Sequence, residues 1–266
     1  MPYCPKPFAL PMNLILLSPP DFLPNTHRAH LTGRRLNHVL EILKPKLNDT
    51  LTVGLENGRV GEGRVVRLEA QSLELEVSLT LDPPAKLPVV LCVALMRPIV
   101  LRRVFQTAAA MGVPEIHLFH SRRVEKSFWQ STALRESEIR EDLILGLEQA
   151  KDTGIPTVHL HKRFKPFVED VLPGLLEKSK KREARSKKEE NVLGIVADPS
   201  GEPFSSCFLP DPSCPTRPKA LILGPEGGFI PYEVEKFKAA GCRVVSLGQR
   251  ILRVETAVVA MLAKIF

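Results

Sequence analysis

The chemistry of this chain concentrates where apolar strands run into glycine. In AlaLeuIleLeu-GlyProGluGlyGly-Phe, residues 220–229, a buried-type strand ends at Gly224, Pro225, Glu226, Gly227 and Gly228. Glycine lets backbone amides approach a ligand in conformations that a Cβ forbids, and α/β sheets bind ligands at the C-terminal ends of their strands. The segment fits neither GxGxxG nor GxxxxGK[ST], so no dinucleotide or nucleoside-triphosphate motif stands behind it, and a structural turn explains it equally well. A second segment, Ser246-Leu247-Gly248-Gln249-Arg250-Ile251-Leu252-Arg253-Val254-Glu255-Thr256-Ala257, also follows a strand and leads into an apolar helix. Arg253 suits either an anionic or polar ligand or a structural carboxylate. Glu255 or Thr256 suits the helix start.

Other residues carry weaker signals. His117 and His120 lie at a strand end, and His159 and His161 alternate along another strand. No cysteine or carboxylate completes a tetrahedral set at usual spacing, so no metal site is expected and the histidines read as solvent-facing. Arg122, Arg123 and Lys126 precede Phe128 and Trp129, a mixture able to clamp single-stranded RNA or to lead into a packed helix. Residues 178–190 carry a net charge of +4 and read as a basic, solvated insertion.

Those residues need elements to hold them. Short strand-type runs at Leu14–Leu17, Leu51–Val53, Gly63–Leu68 and Ser72–Leu79, with one helix over Thr32–Leu43 stopped by Pro45, make a small β-rich domain. Pro83, Pro84 and Pro88 stiffen the connection that follows. Beyond it strands at 89–95, 115–119, 157–160, 192–197, 219–223 and 243–247 alternate with helices at 101–111, 134–151, 231–240 and 255–265, the pattern of an α/β domain with a mainly parallel sheet. The expected organisation is an extension over 1–11, a first domain over 12–82, a linker over 83–88 and a second domain over 89–266.

Charge and composition narrow the partners. The chain of 266 residues has 37 basic and 30 acidic side chains, a formal +7, which favours a polyanionic partner. The excess is uneven: residues 12–82 carry a net −1 and residues 83–135 a net +6. The longest apolar run, Val89–Met96, is 8 residues, against the roughly 20 of a membrane-spanning helix, so no membrane partner is expected. The 5 cysteines form no CxxC pair and the prolines at 2, 5, 7 and 11 interrupt any secretory h-region, so a reduced, cytoplasmic chain is expected.

Taken together, the LxxGPEGGF and LGxRILRxETA segments resemble the paired signature of the RsmE family of ribosomal RNA methyltransferases in the SPOUT superfamily. Weaker similarity runs through ValAlaLeuMetArg at 93–97, ValPheGlnThrAlaAlaAlaMetGlyVal at 104–113, Leu147-Glu148-Gln149 with Ile155-Pro156, LeuThrGly at 31–33 and Asn37-His38-Val39-Leu40. The resemblance spans about residues 12–266. It implies an α/β, SPOUT-type trefoil-knotted methyltransferase domain with an N-terminal PUA-like β-barrel domain. The knot comes from the resemblance alone, because spacing leads only to an ordinary doubly wound sheet.

The resemblance further implies a homodimer that binds S-adenosyl-L-methionine in the knot loops and methylates N3 of a uridine in 16S ribosomal RNA or the small ribosomal subunit. Leu223, Gly224, Pro225, Glu226, Gly227, Gly228, Leu247, Gly248, Ile251, Leu252, Arg253, Thr256 and Ala257 would hold the cofactor. An imide N3–H must lose its proton as the methyl is transferred, so Arg253 is the candidate charge stabiliser and Glu226 and Glu255 are candidate bases. Arg28, Arg34, Arg35, Arg97, Arg122, Arg123 and Lys126 are candidate RNA contacts. Glu41, Thr107 and Asp152 depart from the family's usual cations at positions expected to face RNA. Competing readings are a SPOUT methyltransferase with another RNA target and a non-catalytic RNA-binding or assembly protein on the same fold.

Overall fold

The computed structural model describes residues 14–176, 193–204 and 218–264. The extension over 1–11, the basic stretch 178–190, Cys4, Cys207 and Cys214 lie outside the described residues. Two compact units divide the chain: residues up to Ala85 together with Ile144–Ile155, and Lys86–Leu143 with Pro156–Phe266.

The first unit is built on β1 (Ile15–Leu17), β2 (Arg28–Leu31), β3 (Thr50–Leu55), β4 (Val60–Leu68) and β5 (Leu73–Leu81) in the order β1-β3-β4-β5-β2. The period-two run LELEVSL behaves as its pattern demands: Leu73, Leu75 and Val77 are buried while Glu76 and Ser78 are exposed. Helix α1 (Gly33–His38) passes into a π turn over Val39–Leu43 that ends where Lys44 takes a left-handed φ of 47° ahead of Pro45. At Gly61 a Cβ would lie 1.9 Å from the Ser78 carbonyl oxygen, so only glycine lets β4 cross β5 at that bulge.

This unit is not contiguous in sequence, unlike the expected 12–82 span. Ile144–Ile155 joins it through backbone bonds: Leu14 N–H donates to Glu148 O at 3.0 Å and Asn57 N–H to Thr153 O at 2.8 Å. Asp152 is buried, and its Oδ1 accepts from Thr153 N–H at 2.6 Å and Gly154 N–H at 3.0 Å. The expectation that Asp152 faces RNA is therefore corrected: its carboxylate makes the turn that ends this segment.

The second unit holds a wholly parallel sheet of β6 (Val90–Ala94), β7 (Glu115–Phe119), β8 (Thr157–His161), β9 (Leu193–Pro203), β10 (Pro218–Leu223) and β11 (Cys242–Ser246), in the order β11-β9-β10-β6-β7-β8. Its helices include α2 (Pro98–Ala110), the start of α3 (Glu136–Ala150, of which the residues from Ile144 belong to the first unit), α4 (Pro231–Ala239) and α5 (Val254–Leu262). Leu91–Ala94 and Ala220–Ile222 are fully buried, as central parallel strands covered on both faces must be. From β6 the chain steps outward to β7 and β8, then returns to place β9, β10 and β11 on the other side. The order reverses between β6 and β10, and such a reversal opens a crevice at the carboxyl ends of the two strands. Among the described residues no helix is long and apolar enough to cross a membrane.

One ion pair anchors the first unit locally. Arg35, a candidate RNA contact, instead donates to Asp21 Oδ2 at 2.5 Å, Asp21 Oδ1 at 2.6 Å and Leu16 O at 2.9 Å. Burial pushes the Asp21 carboxyl up, but the hydrogen bonds from Arg35 and Ser18 outweigh it and hold it below its ordinary 3.8. A depressed carboxylate contributes stability that is complete above the unfolded value and is lost as pH falls through the folded one. Asp21→Asn is therefore expected to weaken amide protection in β1 and β2 by about 2 kcal/mol at pH 7, and to remove this site's share of the loss on acidification. Hydrogen exchange of those strands at pH 7 and pH 3 checks both.

Candidate functional site

At the reversal point the ends of β6, β9, β10 and β11 surround a cleft of about 740 Å³, a size ordinary for small-molecule sites. Leu223 to Gly228 form one wall, and Ser246 to Gly248 with Arg250 to Glu255 form the second. Arg97, Ile99, Val100 and Arg103 close it from the start of α2. β9 contributes through a register break: Val244 pairs with Val196 but Val245 pairs with Glu202, so the chain between them bulges and brings Ala197, Asp198 and Pro199 to the cleft.

The glycine loop is held at four points. Gly228 N–H donates to Pro225 O at 2.8 Å, closing a turn that leaves Gly228 at a φ of +71°, a conformation glycine adopts without strain. Glu226 Oε1 accepts the Arg97 N–H at 3.1 Å. The Arg123 guanidinium donates to the Gly227 carbonyl, and a Cβ on Gly227 would sit 3.2 Å from Arg123 Cδ. Phe229 is buried among aromatic rings, 5.1 Å from Phe237 and 6.2 Å from Phe119 between centroids, so the loop is fastened to the core at its exit.

The second loop is more open. Ser246 Oγ donates to Gly248 O at 3.1 Å and accepts from Gly248 N–H at 3.3 Å. Arg253 caps α5, its carbonyl accepting Ala257 N–H at 2.9 Å, while its side chain lines the cleft. Glu255 lies in the first turn of α5, 3.7 Å from the Arg103 guanidinium, where the helix dipole favours a carboxylate.

The cleft thus gathers Leu223, Gly224, Pro225, Glu226, Gly227, Gly228, Leu247, Gly248, Ile251, Leu252, Arg253, Glu255 and Ala257, and adds Arg97 from the expected RNA contacts. Thr256 is exposed on α5 and is not among the lining residues. Arg122 and Lys126 are exposed near the glycine loop's partner Arg123. Arg28 and Arg34 belong to the first unit: Arg28 stands opposite Glu76 across the β2–β5 ladder, and Arg34 lies 3.5 Å from Glu148.

Sequence reading missed the group that fixes these loops. Glu233 is buried, yet its carboxylate accepts Arg122 N–H at 2.8 Å, Ile230 N–H at 3.0 Å and Ser121 Oγ–H at 3.1 Å. It ties the loop after β7 to the loop after β10. The local signal was present as Pro231 at the first helical position and Glu233 at the third, a helix-start pattern; its long-range bonds have no sequence signature.

The histidines also differ from expectation. His117 is buried, and the residues beside it are His159, His161 and Glu115, not His120. Burial pushes His117 down to about 4 despite the neighbouring Glu115 carboxylate. His120 instead accepts the Trp129 indole N–H at 3.0 Å. The parallel register of β7 and β8 pairs His117 with His159, an adjacency that spacing within either strand does not reveal.

Known proteins provide an independent comparison. The family described as an RNA methyltransferase domain matches residues 83–266. A Treponema pallidum (strain Nichols) protein named ribosomal RNA small subunit methyltransferase E is 26% identical over 255 residues, covering 95% of this chain and 90% of its own length. One from Borreliella burgdorferi named ribosomal RNA small subunit methyltransferase E 1 is 25% identical, covering 94% and 95%. A ribosomal RNA small subunit methyltransferase E from Neisseria gonorrhoeae, solved bound to S-adenosyl methionine, shares the fold with a TM-score of 0.68 at 23% identity, over 95% of this chain and 96% of that one.

Removing the Glu233 carboxylate strands one buried and two half-buried donors. Glu233→Ala is expected to lower the unfolding free energy of the second unit by about 3 kcal/mol. Arg122→Ala, which keeps the backbone N–H that Glu233 uses, should change it by less than about 0.5 kcal/mol. Urea denaturation followed by the fluorescence of Trp129, the single tryptophan, measures both.

Proposed function

This chain belongs to the RNA methyltransferase domain family, and from that membership we propose that it is a cytoplasmic ribosomal RNA small subunit methyltransferase of the RsmE type. It transfers the methyl group of S-adenosyl-L-methionine to N3 of a uridine in 16S ribosomal RNA. The observation that carries the reading is the convergence of the LxxGPEGGF and LGxRILRxETA loops on one cleft. We include in the proposal a trefoil knot through these loops and a PUA-like first domain over 12–82, to which Ile144–Ile155 is added, joined by the linker 83–88 to the methyltransferase domain.

The cleft's residues fit the cofactor by their chemistry. Gly224, Gly227 and Gly228 leave backbone groups open to an adenosine and its amino-acid tail, while Leu223, Leu247 and Leu252 supply an apolar lining. S-adenosyl-L-methionine, when bound, supplies an electrophilic sulfonium methyl. The protein's part is to align N3 with that methyl and to manage the departing proton. Arg253 stabilises the negative charge that develops on the uracil carbonyl oxygens. Of the three carboxylates in the cleft, Asp198 already accepts from Ser200 and Glu226 from the Arg97 N–H, and Glu255 is the proton acceptor.

Arg97 lines the cleft and Arg123 holds its glycine loop, and with the exposed Arg122 and Lys126 close by in the chain they give the RNA backbone a cationic path within the second unit. Ile251 is 91% exposed and Ile99 63% exposed at the cleft. Apolar side chains left in water beside a site are what a second copy would cover, which supports the homodimer.

Labelled S-adenosyl-L-methionine offered with small subunits lacking the modification is expected to place label on N3 of one 16S uridine, mapped by nuclease digestion and mass spectrometry. Arg253→Ala should lower that transfer by about 100-fold with cofactor affinity changed only a few-fold. Label found only in transfer RNA or large-subunit RNA would overturn the substrate, and failure of the folded protein to bind the cofactor would overturn the enzymatic reading.

A further inference from the structure

Four side chains on one face of β7 and β8 form a cluster that the methyltransferase reading leaves unused. Parallel pairing sets His117 beside His159, with Glu115 two residues before His117 and His161 two residues after His159. His117 Nε2 lies 2.9 Å from Glu115 Oε1, and His159 Nε2 lies 3.2 Å from the same oxygen. One ligand atom from each of these three residues falls within 4.8 Å of the other two. None of the four lines the cleft.

We propose that Glu115, His117 and His159 form a binding site for one divalent transition-metal ion of the zinc class, with His161 as the supporting partner of His117. Bonds of about 2.0–2.1 Å in tetrahedral geometry put neighbouring ligand atoms about 3.3 Å apart, and the two distances to Glu115 Oε1 already lie near that value. The remaining gap between the His117 and His159 nitrogens closes by ring rotation, with the backbone held by the β7–β8 ladder. Two imidazoles and one carboxylate are a ligand set that suits this borderline ion and leaves a fourth position for water. That position has access to solvent, because the His159 side chain is 42% exposed and the Glu115 side chain 32% exposed.

The support behind the ligands has the form metal sites use. His117 Nδ1 lies 2.8 Å from His161 Nε2. With the ion bound, the His117 proton resides on Nδ1 and is donated to His161, which frees the Nε2 lone pair for the metal and fixes the ring. The His117 ring also packs on that of His159, with centroids 4.6 Å apart, and lies 3° from the plane of the His161 ring to which it is hydrogen-bonded. β8 is the edge strand of the sheet, so an ion bridging Glu115 and His117 to His159 would pin that edge to β7 in addition to its backbone bonds.

The test uses the full chain, stripped of metal with a chelator and then titrated with Zn²⁺ by calorimetry and with Co²⁺ by visible absorption. The expected result is one tight equivalent of Zn²⁺ and an intense tetrahedral Co²⁺ spectrum. In Glu115→Gln/His159→Ala, whose replaced side chains are both partly exposed, Zn²⁺ affinity should fall by more than the roughly 100-fold that loss of a mere supporting bond costs, with methyl transfer unchanged. Zn²⁺ binding that is equal in wild type and the double variant overturns the site. If circular dichroism shows the double variant misfolded, the wild-type Co²⁺ spectrum decides: weak octahedral bands or no binding overturns the proposal.

Discussion

A carboxylate taken out of water must recover its hydrogen bonds from the protein, and Glu233 does so by drawing three donors from two loops onto one helix turn. Because Ser121 and Arg122 follow β7 while Ile230 closes the loop after β10, the cost of leaving any of them unpaired locks the two loops in register. That lock sets where Arg123 stands, and Arg123 in turn holds the Gly227 carbonyl. The cleft is therefore shaped less by the glycines that line it than by a buried carboxylate that does not line it. Glycine permits the loop's path; Glu233, Arg123 and Phe229 select it.

The distribution of charge acquires a similar local meaning. Several cations of the first unit are already committed to carboxylates: Arg35 to Asp21, Arg64 to Glu76 and Arg67 to Glu69. The excess over residues 83–135 includes Arg97, Arg103 and Arg123, which stand at the cleft or on its glycine loop. A polyanion approaching the second unit meets charge adjacent to the proposed cofactor, which is where a methyl acceptor must arrive.

The sequence was legible where the physics is local. Alternating LELEVSL, the buried run of β6 and the two glycine-bearing strand ends each carry their structural reason within a few residues, and strands were found at all four. β2 was missed because Arg28-Ala29-His30-Leu31 is short and half polar, and its strand character comes from pairing with β5. The membership of Ile144–Ile155 in the first unit was illegible for the same reason: it rests on backbone bonds to Leu14 and Asn57, groups every residue possesses. Glu233 and the Glu115–His117–His159 cluster were hidden by distance along the chain, since register between strands, not spacing within them, makes the neighbours.

The central claim is that the loops after β10 and β11 make one ligand site. Hydrogen–deuterium exchange with and without saturating S-adenosyl-L-methionine tests it most directly. The account predicts slowed exchange in residues 224–230 and 247–254 together, with β2 and β5 unchanged. Protection confined to one loop, or absent from both, would contradict it.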